Sequence, residues 1–191
     1  MMASPFKNAV AMAHALLTPY IPTARVIVDM TCGNGYDTVF LASHMQETGR
    51  LYAFDIQERA ITATKRQLAD HNLADSRICC RCGSHDVLLA QLEENPDIIV
   101  FNLGYLPHGD HAVHTKSEIT VKALKICLNK IAINGIIMIA AYPGTEPGAQ
   151  EEQAVRSLLQ QVPQAEFDVS SWRPVNQVHC PPVLYMVQKR G

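Results

Sequence analysis

Two short stretches hold most of the chemistry that this 191-residue chain could perform. The first is Asp29-Met-Thr-Cys-Gly-Asn-Gly35. Gly33 and Gly35 let the backbone pass close to a ligand, Asn34 between them tolerates unusual dihedrals, and Asp37 with Thr38 can cap a following helix. Twenty residues beyond Gly35 stands Asp55, whose carboxylate can accept both hydroxyls of a ribose, with Gln57 able to assist. This set suits a nucleotide-like cofactor. The plain alternative is a Gly-rich turn with an Asp cap, since a lone Gly-x-Gly is a weak signal.

The kind of nucleotide follows from two details. A dinucleotide loop wants a third glycine three residues after the second, so that a helix N-terminus can approach a pyrophosphate, and Thr38 stands there instead. An acidic residue at Asp29 also sits badly with pyrophosphate, yet it suits the cationic amino group of a methionine moiety. Both favour S-adenosylmethionine (SAM) over NAD. Further along, His85 and Asp86 fall where an adenine ring would lie, with helix capping by Ser84 or Asp86 as the competing role.

The second stretch is Asn102-Leu-Gly-Tyr-Leu-Pro107, whose position and ends resemble the Asn-Pro-Pro-Tyr signature of methyltransferases that act on amino groups. An amine must present its lone pair in line with the methyl group. A neutral Asn oxygen plus a backbone carbonyl can hold its N–H bonds, and Tyr105 can stack on a planar base. An alkylamine is mostly protonated at neutral pH, so attack needs desolvation or a nearby base. His108, Asp110, His111 and His114 crowd the loop that follows, but one polar loop lacks the spaced ligand pairs of a metal site, and no metal is expected. Cys79, Cys80 and Cys82 alternate along a strand, and buried free thiols are the expectation there.

These segments need elements to hold them. Helical spacing from about Pro5 to Leu17 marks an opening helix. Strands are expected at Arg25–Asp29, Leu51–Phe54, Arg77–Cys82, Asp97–Phe101 and Gly135–Ala141. The intervening helices are expected at Asp37–Met45, Glu58–His71, Val87–Leu92 and Ser117–Lys130, with another at Gln150–Gln161. Near-continuous apolar strands alternating with helices predict an α/β, doubly wound, Rossmann-like fold with a mostly parallel sheet. Glu166–Ser171 and Val183–Gln188 have no helix between them and should form a C-terminal antiparallel hairpin, giving seven strands. No repeat or linker composition divides the chain, so a single domain over 1–191 is expected.

Composition narrows the partners. A 48% hydrophobic content can bury a real core, and a net charge of -2 gives no general attraction for phosphate backbones. RNA contact would need a local patch drawn from Arg50, Lys65, Arg66, Lys116, Lys122, Lys125 and Lys130. No apolar run reaches the roughly 18–20 residues that span a bilayer, no signal core opens the chain, and the six cysteines lack the spacing of a secreted scaffold; a cytoplasmic protein without membrane contact is expected.

With these residues in view, the chain resembles a small bacterial methyltransferase family long labelled rRNA methylases, whose characterised members methylate the wobble uridine of tRNA. The likeness runs through Ala13-His14, the Asp29 to Thr38 loop, Asp55-Ile-Gln57, Ser84-His85, Asn102 to Pro107, Tyr142-Pro-Gly144, and Asn176-Gln177 before Pro181-Pro182. It implies a class I methyltransferase that uses SAM to convert 5-aminomethyl-2-thiouridine to its 5-methylaminomethyl form in the tRNA anticodon. By the match, Asn34, Asp55, Gln57, His85 and Asp86 would contact SAM, and Asn102, Tyr105 and Tyr142 would line the substrate pocket. Thr145 stands where a histidine is expected and His108 where a glycine is more usual. The alternatives are methylation of an rRNA base or a small metabolite, and a SAM-binding module without catalysis. A homodimer sharing one RNA surface is a further expectation.

Overall fold

The computed structural model describes residues 4–104 and 117–191. In chain order, α1 (Ala9–Leu17) precedes β1 (Val26–Asp29), α2 (Tyr36–His44), β2 (Arg50–Asp55), α3 (Glu58–Asp70), β3 (Ile78–Cys82) and α4 (His85–Ala90). Then come β4 (Ile98–Asn102), α5 (Ser117–Lys130), β5 (Ile136–Ala141), α6 (Glu146–Leu159), β6 (Phe167–Trp172) and β7 (Val183–Lys189). The seven strands form one sheet in the order β3-β2-β1-β4-β5-β7-β6. The first five are parallel, and β7 runs antiparallel between β5 and β6.

Strands buried on both faces explain the unbroken apolar runs. Val28, Ile99, Phe101 and Ile139 point to one face and pack with residues of α4, α5 and α6 such as Leu89, Leu124 and Val155. Ile27, Ile98, Val100 and Met138 point to the other and pack with Leu17 of α1 and Leu41 of α2. The helix α1 touches β5 and β7, so a segment from the start of the chain covers the far half of the sheet. Strand order reverses between β1 and β4, and a doubly wound sheet binds its ligands at the carboxyl ends beside such a switch point.

Several boundaries moved for local reasons. The opening helix starts at Ala9, because the Asn8 side chain accepts from the Ala11 N–H at 2.8 Å and caps it there, leaving a 3₁₀ turn at Pro5–Lys7. The sixth helix begins at Glu146, four residues before the expected Gln150, since Thr145 accepts from the Gly148 N–H and Pro147 fits the first turn. Thr145 is thus a helix cap. Asp37 and Thr38 do not cap α2; that position belongs to Gly35 in the left-handed region at φ 86°. The unusual dihedrals of the loop fall on Gly33 and Gly35, both at positive φ, and not on Asn34. The cysteines of β3 are less covered than expected: Cys79 and Cys80 are half-buried and Cys82 is exposed, because β3 is an edge strand.

A Cβ placed on Gly35 would lie 2.8 Å from the Thr64 Cα of α3, on top of the positive φ. We therefore expect Gly35→Ala to destabilise the fold by about 2–4 kcal/mol, measured as a drop in the urea midpoint. A midpoint equal to that of the wild type would contradict this packing.

Candidate active site

The carboxyl end of β1 is organised by a carboxylate that never meets solvent. Asp29 is 0% exposed. Its Oδ2 accepts from the Thr38 hydroxyl at 2.6 Å and its Oδ1 from the Thr31 N–H at 3.2 Å. Burial, then the charge of Asp37, push its pKa up to about 7. So enclosed, Asp29 has no face to offer a ligand's ammonium group, contrary to the direct contact expected from sequence. It holds the loop in place.

The loop is then stitched to β2 and α3. Cys32 N–H donates to the Phe54 carbonyl, Gly33 N–H donates to Asp55 Oδ2 at 3.0 Å, and the Thr64 hydroxyl donates to the Gly33 carbonyl. Asp55 ends β2 half-buried, its Oδ1 accepting from the Gln57 N–H at 2.9 Å. The backbone N–H groups of Gln57, Gly33 and Ile56 all turn toward this carboxylate, which has about four lone-pair sites and so keeps capacity to accept a further hydroxyl. The Gln57 side chain is drawn to Arg59 at 2.7 Å. Asn34 sits half-buried between the two glycines. Ile56, 60% exposed beside Asp55, offers an apolar surface to a planar ring and was not singled out from sequence, where one isoleucine carries no signal.

His85 and Asp86 open α4 and are both buried. The imidazole bonds to the Met30 backbone and meets the edge of Phe101 with ring centroids 5.8 Å apart, and burial lowers its pKa so that it is neutral near pH 7. The Asp86 carboxylate pairs with Lys122 at 2.7 Å and accepts from Ser84, so its oxygens serve the protein's own α4–α5 contact. Ser84 makes no side-chain cap.

Across the switch point, Asn102 ends β4. Its backbone N–H donates to the Thr31 hydroxyl at 2.7 Å, tying the second motif to the first. Its side-chain Nδ2 donates to Asp37 Oδ2, and Asp37 Oδ1 lies 2.6 Å from His14 Nε2 of α1. Asp37 therefore belongs to the Asn102 side of the site. Tyr142, just past β5, is 38% exposed; burial and then the negative charge of Asp37 raise its pKa. Tyr105 and the histidine-rich loop lie outside the described residues. In sequence His14 is marked only by the family likeness, because no local pattern pairs a helix histidine with a residue 23 positions later.

Among the described residues, two buried side-chain polar atoms lack a hydrogen-bond partner, His85 Nε2 and Asn102 Oδ1. Orphaned buried acceptors cost about 1–3 kcal/mol each, and both stand at the carboxyl ends of the strands, where ligands bind. Among the described residues, no group of three or more His, Cys, Asp or Glu side chains could hold a metal ion.

Comparison with known proteins agrees with this geometry. The model of the family described as "Putative rRNA methylase" matches residues 51–188. The chain belongs to that family. A Clostridium thermocellum protein described in the same words superposes with a TM-score of 0.92 at 37% identity, covering 96% of this chain and 98% of that one. A Streptococcus mutans protein described as a methyltransferase and solved in complex with SAH follows at 0.85 and 32%, covering 99% of each. The tRNA (mnm(5)s(2)U34)-methyltransferase, chloroplastic, of Arabidopsis thaliana is 27% identical over 97% of this chain and 71% of its own length. This family member is a SAM-dependent methyltransferase, and the sequence-based expectation of SAM holds.

Asp29 offers a direct check on the loop. Its folded pKa of about 7 exceeds the ordinary 3.8, so between these values the unfolded chain has released a proton that the folded enzyme keeps. Folding stability should therefore fall as pH rises from about 4 to 7, at up to roughly 1 kcal/mol per pH unit from this group. Asp29→Asn should flatten that slope in urea titrations across the range. Parallel slopes for the two proteins would refute the assignment.

Proposed function

We propose that the enzyme N-methylates 5-aminomethyl-2-thiouridine at the wobble position of tRNA, in the cytoplasm. The observation that carries the amine reading is Asn102 Oδ1, a buried acceptor without a partner at the end of β4. An acceptor there can take an amine N–H and leave the nitrogen lone pair aimed at the incoming methyl. The tRNA reading is supported by the Arabidopsis relative, whose name specifies that nucleotide.

In this reading Asp55 receives the ribose hydroxyls, Gly33, Asn34 and Gly35 form the floor of the SAM site, and His85 lies under the adenine end. Bound SAM supplies an electrophilic methyl on a sulfonium. Asn102 orients the amine, Tyr142 walls the pocket, and Tyr105 stacks on the base. Asp86 and Gln57 contribute chiefly through their backbones, since their side chains are taken by Lys122 and Arg59. The pyrophosphate of NAD would meet the negative charge of Asp37 and Asp55, whereas a cationic cofactor gains from it.

Among the described residues, the cations expected at a basic rim scatter. Arg50 pairs with Glu94, Arg66 with Asp70 and Lys122 with Asp86, while Arg50 at the start of β2 and Lys130 at the end of α5 lie at the edge opposite the site. The RNA reading rests on the relatives. A second reading, an rRNA base as acceptor, is favoured by the family's own description.

The test is methyl transfer from labelled SAM to tRNA bearing the aminomethyl group, to tRNA lacking it, and to rRNA. We expect transfer to the first alone; transfer to rRNA alone would establish the second reading. Asn102→Ala should lower kcat at least about 100-fold while SAM affinity by calorimetry stays unchanged. Asp55→Ala should instead weaken SAM binding by about 10–100-fold, and near wild-type affinity would exclude it as the ribose contact.

A further inference from the structure

The polar chain that leads away from Asn102 ends on a residue the reaction scheme has not used. His14 sits on α1, 23 positions before Asp37 and outside the alternating βα units, yet its Nε2 lies 2.6 Å from Asp37 Oδ1. Its ring stacks on Phe40 of α2 with centroids 3.7 Å apart and planes within 6°, so it is held on both faces of its role, by packing and by the carboxylate. His14, Asp37 and Asn102 share the wall of a small crevice otherwise lined by apolar side chains such as Val10, Leu17 and Leu41. In such surroundings hydrogen bonds are stronger than in water.

An asparagine amide is nearly symmetric in shape and can present either its oxygen or its NH₂ in a given direction. What breaks the symmetry here is Asp37. An ionised carboxylate only accepts, so the amide must turn Nδ2 toward it, and Oδ1 is left as the free acceptor. Turned the other way, Oδ1 would oppose a carboxylate oxygen and the NH₂ would meet the amine's own N–H. That arrangement holds only while Asp37 keeps Oδ2 toward Asn102, and the bond to His14 at Oδ1 is what prevents the carboxylate from rotating away.

We propose that His14 is a positioning residue for methyl transfer, which acts through Asp37 to hold the Asn102 amide with its oxygen toward the acceptor amine. The inference rests on the amine-acceptor reading of the site. It also assigns a function to α1: the helix covers β5 and β7 and at the same time sets the polarity of the acceptor site.

His14→Ala should lower kcat about 10–100-fold, with KM for tRNA and SAM affinity changed less than about twofold. His14→Gln, whose amide can still donate to Asp37, should recover most of the loss, and Asp37→Asn, which can donate as well as accept, should behave like His14→Ala. A helix tie and nothing more would lower the melting temperature and leave kcat intact at temperatures well below it. The proposal is overturned by kcat within about twofold of wild type in His14→Ala, by a matching loss of SAM affinity, or by failure of His14→Gln to recover. The side-chain amide protons of Asn102, followed by NMR in the SAH complex, give a readout that needs no substrate. They should be protected from exchange in the wild type and exposed in His14→Ala. Protection kept in the variant overturns the proposal. Protection lost in a protein that methylates no amine refutes the amine reading while leaving the His14–Asp37–Asn102 linkage established.

Discussion

The hydrogen bond between the Thr38 hydroxyl and the buried carboxylate of Asp29 is the contact on which the rest of the site depends. It ties the end of β1 to the first turn of α2. With that turn fixed, Gly33 and Gly35 take their left-handed conformations, Gly33 N–H reaches Asp55, and Asp37 is set one residue before Thr38 where it can face Asn102. A buried carboxylate without such donors would cost several kcal/mol; here the donors reduce that cost and the remainder shows as a raised pKa.

Asp29, Asp37 and Asp55 make the carboxyl edge of β1 and β2 electronegative, and the charges of the last two add to the rise at Asp29. A cofactor carrying a sulfonium and an ammonium group lowers the energy of that arrangement. The net charge of the whole chain, -2, says little of this, because carboxylates gathered at the ends of two neighbouring strands and the helix after them outweigh scattered charges elsewhere. Among the described residues, Arg50, Arg66 and Lys122 are each held in an ion pair, with Glu94, Asp70 and Asp86.

The two halves of the site are held by different means. The cofactor half is local: a turn, the strand before it and the helix after it, stitched by backbone bonds to β2 and α3. The half around Asn102 is assembled from far-apart segments, with α1, α2, β4 and the residue after β5 each giving one side chain. Gly148 shows how closely these segments fit, since a Cβ there would come within 2.2 Å of the Tyr142 carbonyl oxygen. The early start of α6 is part of the same fit, for the first turn capped by Thr145 packs directly behind Tyr142.

The sequence by itself determined the order of strands and helices, the parallel sheet and its C-terminal hairpin, and the donor loop, because period-2 and period-3.6 patterns and glycine turns are short-range properties that few neighbouring residues decide. It also singled out Asn102 through its place after β4. The tertiary structure alone decided that Asp29 is sealed inside, that Gly35 and not Asp37 or Thr38 caps α2, and that Asp86 is spent on Lys122. It alone joined Asp37 to Asn102 and to His14, contacts that span 65 and 23 positions. Such contacts arise where the strand order reverses and where α1 folds back over the sheet, and no local pattern records which side chains meet there.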